Sequence, residues 1–185
     1  MRKRKNQEKR EEKNHKNIGI ISIYSGMKTI KIVLVCFLFL AVFSIISCDS
    51  SKIFEENIEI PAEKWNRNYS AEFIVDINDT NSLQNIYINV RNKSEYQFSN
   101  LFLFVNSTAP DGSMIRDTIE YILADNKGKW LGSGLGSVWF NQFPFKSQIK
   151  FPMTGQYIFN IEQGMRMEEL NSIVDIGLRI EKDKN

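Results

Sequence analysis

Gln84-Asn85-Ile86-Tyr87-Ile88-Asn89-Val90-Arg91-Asn92 is the stretch whose pattern decides the fold. Successive side chains of an extended chain point to opposite faces. Ile86, Ile88 and Val90 therefore share one face, and Tyr87, Asn89 and Arg91 share the other. Such a segment rests one side on a core and leaves the other to solvent, as a strand of an antiparallel sheet does. The same reading extends outward to residues 69–77 (YSAEFIVDI), 100–107 (NLFLFVNS), 114–123 (MIRDTIEYIL), 147–151 (SQIKF), 156–162 (QYIFNIE) and 173–181 (IVDIGLRIE).

Turn formers separate these runs. Asn78-Asp79-Thr80-Asn81, Pro110-Asp111-Gly112, Asn126-Lys127-Gly128 and Thr154-Gly155 each fall between two predicted strands. Pro110-Asp111-Gly112 gives the clearest hairpin, since proline and glycine there set the dihedrals a tight turn needs. Residues 164–171 (GMRMEELN) could add one helical turn. Seven or eight short strands with almost no helical pattern point to an all-β fold, an antiparallel β-sandwich of jelly-roll-like form. A barrel is the architectural alternative.

Upstream of the strands the chain changes character. Residues 32–46 (IVLVCFLFLAVFSII) form an uncharged run of fifteen, short of the roughly 20 apolar residues a spanning helix needs. Its length suits the h-region of a signal peptide, and Met27-Lys28-Thr29-Ile30-Lys31 before it supplies the positive n-region. Ile45-Ile46-Ser47-Cys48 then fits a lipobox, with a small residue ahead of a cysteine whose thiol takes a diacylglycerol. Cys48 is the expected lipidation site. Two or more acyl chains hold a protein stably on a membrane, so no spanning helix is required. The expected organisation is a leader over residues 1–26, a cleaved lipoprotein signal peptide over 27–47, a tether over 48–57 and the β-sandwich over 58–185. The leader (MRKRKNQEKREEKNHK at its start) has no apolar periodicity and reads as disordered or as a mis-assigned start, with translation beginning at Met27.

Charge follows the same division. Ten of the 24 Lys and Arg, but only three of the 22 Asp and Glu, precede Cys48. The 14 basic and 19 acidic side chains from Cys48 onward leave a formal charge of −5. Nucleic acid is therefore not an expected partner, because phosphate binding needs clustered Lys and Arg in the folded part.

Catalytic chemistry finds few carriers. The single histidine, His15, lies in the leader, and Cys36 leaves with the signal peptide. The mature chain then lacks the parts of Ser-His-Asp and Cys-His systems and of the usual zinc sites. No phosphate-binding loop or dinucleotide fingerprint occurs. Asp76, Asn78, Asp79 and Asn81 offer oxygen ligands of the kind calcium takes, yet lack the spacing and glycine of a calcium loop and suit a strand-ending turn. No metal, cofactor or catalytic residue is expected, and no pair of carboxylates is singled out for glycoside hydrolysis.

The most distinctive stretch is Trp130-Leu131-Gly132-Ser133-Gly134-Leu135-Gly136-Ser137-Val138-Trp139-Phe140. Its glycines permit close backbone approach. Trp130 and Trp139 either cap the core around an irregular crossover or present an aromatic platform to a sugar or a protein partner. Sequons at Asn68, Asn78, Asn92 and Asn106 read as chance matches in an Asn-rich chain. Asp117-Thr118-Ile119 resembles the Asp-Ser/Thr-aliphatic acceptor of general O-glycosylation in Bacteroidetes, which makes Thr118 a candidate modification site.

Taken in order, several segments resemble one family. Cys48-Asp49-Ser50, Phe54-Glu55 and Pro61…Lys64-Trp65 are similar to the start of mature GldH, a gliding-motility-associated lipoprotein of Bacteroidetes. The likeness continues through Ile88-Asn89-Val90-Arg91-Asn92, Tyr96-Gln97-Phe98-Ser99-Asn100-Leu101-Phe102-Leu103, Asp117-Thr118-Ile119-Glu120-Tyr121 and Gly128-Lys129-Trp130-Leu131-Gly132-Ser133-Gly134. It ends with Gln163-Gly164-Met165-Arg166 and Val174-Asp175-Ile176-Gly177-Leu178-Arg179-Ile180-Glu181. The resemblance implies a non-enzymatic envelope lipoprotein tied to gliding machinery and type IX secretion, with envelope lipoproteins or motility and secretion proteins as partners. It brings no catalytic residues. The expected location is the outer membrane, with the domain facing the periplasm; Lys52-Ile53-Phe54-Glu55-Glu56 matches surface-export signals poorly.

Overall fold

A computed structural model describes residues 51–184. Cys48, the signal segment and the leader lie outside the described residues.

The domain is an antiparallel β-sandwich. Its strands are β1 (Lys52–Glu59), β2 (Lys64–Asn66), β3 (Ala71–Ile77), β4 (Gln84–Lys93), β5 (Asn100–Thr108) and β6 (Met114–Ile122), followed by β7 (Ser133–Leu135), β8 (Val138–Ile149), β9 (Gly155–Gln163), β10 (Glu169–Asn171) and β11 (Ile173–Lys182). One sheet has the order β1-β11-β4-β8-β7 and the other β3-β9-β5-β6, while β10 and β2 form a two-stranded ribbon. Neither main sheet closes on itself, so the barrel alternative is set aside.

Alternation drives the architecture. Ile86, Ile88 and Val90 of β4 point inward as expected, joined by Ile176, Leu178 and Ile180 of β11. Phe73, Val75 and Ile77 of β3, Leu101, Leu103 and Val105 of β5, and Tyr157, Phe159 and Ile161 of β9 meet them from the other sheet in one core. Each fully buried aliphatic or aromatic side chain contributes about 1.5–3 kcal/mol relative to exposure. The outward face of β4 is polar and ordered: the Asp175 carboxylate on β11 is buried beside the Arg91 guanidinium, and Gln142 donates to Asn89 at 3.0 Å.

The Pro110-Asp111-Gly112 hairpin forms as read. Gly112 takes φ +82°, Ala109 N–H donates to Ser113 O, and Ser113 N–H donates to the Asp111 carboxylate at 2.9 Å. Three expectations need correction. Most of the stretch assigned to a tether is strand: β1 starts at Lys52 and pairs with β11 along its length. As an edge strand it buries little on either side, which hid its period-two pattern. Residues 164–171 form no helical turn; Glu169–Asn171 is β10, paired with β2 through Leu170 opposite Trp65. The strand expected at 147–151 belongs to the twelve-residue β8, which ends at Ile149. Pro144 masked it, and Pro144 is tolerated because β7 covers only Val138–Phe140, leaving the rest of β8 an edge.

The strand register sorts the loops onto two ends. Ser51, residues 78–83, the 109–113 turn, residues 150–154 and Lys182 share one end. Residues 60–70, 94–99, 123–132 and 164–172 gather at the other, about 33 Å away along ten-residue β4.

Candidate functional site

The end opposite Ser51 collects the residues that stand out in the sequence. The glycine-rich stretch is a hairpin: β7 pairs with the start of β8, Gly134 opposite Trp139, and Gly136 turns the corner at φ +71°. A Cβ on Gly134 would lie 2.7 Å from both the Trp139 ring and the Val138 carbonyl oxygen, and one on Gly132 would lie 2.5 Å from the Phe140 carbonyl oxygen. The glycines are there for close approach, not for an irregular crossover.

The two indoles serve different neighbours. Trp130 is half-buried against the core and against Tyr96, ring centroids 6.3 Å apart, and Tyr96 packs edge-on with Phe98 at 5.7 Å. Burial pushes the Tyr96 phenol above its ordinary pKa, so its O–H stays a donor, reaching the Asn100 carbonyl at 3.0 Å. Trp139 lies over Gly134, and its indole N–H donates to the Ser94 hydroxyl at 3.0 Å. Below this end Trp65 is fully buried, and its N–H donates to the Tyr69 carbonyl at 2.9 Å.

Apolar side chains are left exposed at this end, beginning with the hairpin. Leu135 at its tip is 94% exposed and Leu131 58%, with Ile122, Phe140 and Met167 also open to solvent. A cleft of about 450 Å³ at the same end runs between Phe98, Phe102, Met165 and Met167, with Asn100 and Arg166 also lining it. Methionines adapt to varied partner shapes, and an exposed apolar group rimmed by polar residues marks an interaction surface. Leu135, Tyr96, Phe98, Met165 and Met167 were not singled out in the sequence. They come from three separate segments, the hairpin and the loops at 94–99 and 164–172, and only the sheet topology brings these to one end.

Other sequence-based candidates stand apart. Thr118 is exposed on the outward face of β6, while its neighbour Asp117 turns toward the sandwich edge to pair with Lys146 at 3.0 Å. The Asp79 loop is a closed turn. Its carboxylate accepts hydrogen bonds from the Ser82 hydroxyl and from the Asn81 and Ser82 amides, and faces Lys182 at 3.4 Å. Those bonds, led by the Ser82 hydroxyl, hold its pKa well below the ordinary 3.8. Among the described residues no group of three or more His, Cys, Asp or Glu is gathered to hold a metal.

The family model described as GldH lipoprotein matches residues 52–180. The chain is 36% identical over 157 residues to a protein named gliding motility lipoprotein GldH homolog from Christiangramia forsetii, covering 80% of this chain and 96% of that protein. It is 31% identical over 152 residues to gliding motility lipoprotein GldH from Flavobacterium johnsoniae, covering 78% of this chain and 94% of that one. Among solved structures, 75% of the chain aligns with 14% of dimeric latent PorU from Porphyromonas gingivalis, at a TM-score of 0.27 and 9% identity. The match along β1 to β11, with the ordered segments noted in the sequence, means that the chain belongs to the GldH lipoprotein family.

Proposed function

We propose that the protein is a lipid-anchored, non-enzymatic envelope lipoprotein that docks, through the end opposite Ser51, onto a component of the gliding-motility and type IX secretion-associated machinery. The names of its relatives support the motility association. The lipobox supports the anchor at Cys48, and the poor surface-export match supports a domain that faces the periplasm. The observation that carries the docking reading is the exposed Leu135 at the tip of a hairpin whose Gly132 and Gly134 let it lie close against β8, with the exposed Leu131 just before it. Leu135 adds nothing to the domain's own core, whereas an apolar anchor seated in a partner's pocket is what interfaces are built around. Trp130 and Trp139 stiffen this surface and supply its aromatic flank.

The test is site-specific photo-crosslinking in living cells with the reactive side chain at Leu135, and at the exposed Ile74 of β3 as a control. The expected outcome is a discrete adduct from position 135, containing a motility or secretion protein, and none from position 74. Equal labelling from both positions, or adducts without any such protein, would sink the docking reading.

A further inference from the structure

The end carrying Ser51 has a surface of its own. Between β6 and β8 the sandwich is open at that end, forming a groove of about 290 Å³ lined mainly by apolar side chains, among them Ile86, Ile115, Phe145, Ile149 and Phe151. Farther along the same edge the two sheets are shut. The Tyr121 and Phe143 rings stack at 4.3 Å and Tyr121 O–H donates to the Pro144 carbonyl, while Lys146 and Asp117, paired at 3.0 Å, form the polar part of the groove wall together with Lys150. Met114 and Ile115 beside the groove are 66% and 65% exposed, and Leu83 on the neighbouring loop is 38% exposed.

The start of the fold says what this end faces. Strand β1 begins at Lys52, and the Ser51 carbonyl accepts a hydrogen bond from Lys182 N–H at 2.8 Å. Only Asp49 and Ser50 separate Cys48 from Ser51, a span of no more than about 10 Å of extended chain. With the lipid on Cys48, the domain has no long tether, and the end carrying Ser51 is held against the bilayer. This step rests on the lipid-anchor reading above.

We infer that the groove between β6 and β8 is a lipid-contact site that takes an acyl chain of a phospholipid from the anchoring membrane. A methylene takes up roughly the ~30 Å³ share of a water molecule, so the groove has room for on the order of ten of them. An acyl chain asks for no hydrogen bonds, which suits an apolar lining. A polypeptide strand is the less fitting occupant. The β8 edge lacks the N–H of Pro144 and is bulged near Gln148, which sits at φ +52°. The same placement stands the sandwich on its end and carries the Leu135 hairpin outward from the membrane.

Intrinsic fluorescence tests this with the intact lipoprotein in phospholipid vesicles whose acyl chains are brominated at mid-chain. The three native tryptophans, Trp65, Trp130 and Trp139, all belong to the end opposite Ser51. Native emission is expected to be the same in brominated and unbrominated vesicles. Ile115→Trp, placed at an exposed position of the groove wall, is expected to add an emission that brominated chains quench; Leu83→Trp gives a second reporter on the same end. Protein that floats with the vesicles while the added indoles at 115 and 83 stay unquenched overturns the inference and leaves the anchor standing. So does quenching of the native tryptophans alone. A chain that fails to float overturns both. A strand-shaped occupant would show itself as an Ile115→Trp emission blue-shifted by a partner protein and indifferent to bromine, which also counts against the lipid assignment.

Discussion

Adding one methyl group at Gly132 or Gly134 should release β7 without unfolding the sandwich. Neither residue has a left-handed φ, so the effect of alanine there is steric. At Gly134 the new Cβ would press on the Trp139 ring and the Val138 carbonyl at 2.7 Å; at Gly132 it would meet the Phe140 carbonyl at 2.5 Å. Strand β8 cannot yield, because β4 holds it from Lys93–Val138 to Gln84–Ile149. The three-residue β7 yields instead. Overpacking costs about 1–3 kcal/mol, offset by about 0.4–1 kcal/mol from the stiffer unfolded chain. The net cost of either single substitution is then roughly 1 kcal/mol. At about 2.1 cal/mol/K per residue this lowers Tm by roughly 4 °C. Freeing β7 forfeits only a few hydrogen bonds of about 1 kcal/mol each, which sets a ceiling on the loss. Once one alanine has detached β7, the second has nothing left to displace. Gly132→Ala/Gly134→Ala should therefore cost about as much as the worse single variant. Urea unfolding followed by circular dichroism gives the energies, and amide exchange across Ser133–Leu135 reports the detachment. Additive losses, with β7 still protected from exchange, would refute the reasoning.

Three further outcomes follow from the same geometry. Trp65→Ala should cost about 3–5 kcal/mol, since it empties a fully buried site beneath the β2–β10 ribbon, and thermal unfolding should show it as the largest loss among single changes at that end. Trp65→Phe should cost less but still measurably, because the Tyr69 carbonyl loses its indole donor. Asp79→Ala should lower stability at neutral pH, and the gap to the parent should close in acid. The folded pKa of Asp79 is depressed, so its contribution is complete above the ordinary 3.8 and is lost as pH falls below it; a gap that persists unchanged at about pH 2 would remove that assignment. Leu135→Asp should leave urea and thermal midpoints unmoved, the side chain being 94% exposed, while abolishing the position-135 crosslink partner's retention and colony spreading where the cells spread; unaltered retention counts against docking there.

How much could be read beforehand depended on how many neighbours each segment has. Central strands such as β4, β9 and β11 bury one face completely, so their alternation is plain in the residue order. Edge strand β1 buries little, and its Lys52, Glu55 and Glu56 read as a solvated tether. The three-residue β2, β7 and β10 are too short for any period to show. The same contrast holds at the site. Glycines between tryptophans were legible because no other residue type permits such close approach. Met165, Met167, Tyr96 and Phe98 lie far apart in the chain, and only the crossing of loops at one end makes them a surface.

The anchor at Cys48 underlies both the membrane attachment and the end-on placement. Mass spectrometry of the protein recovered from membranes, read at its N-terminus, tests it most directly. The expected result is a mature chain whose first residue is Cys48 carrying a diacylglyceryl thioether. A chain that retains residues 27–47, or begins elsewhere with an unmodified Cys48 thiol, would contradict the lipid anchor and the end-on placement built upon it.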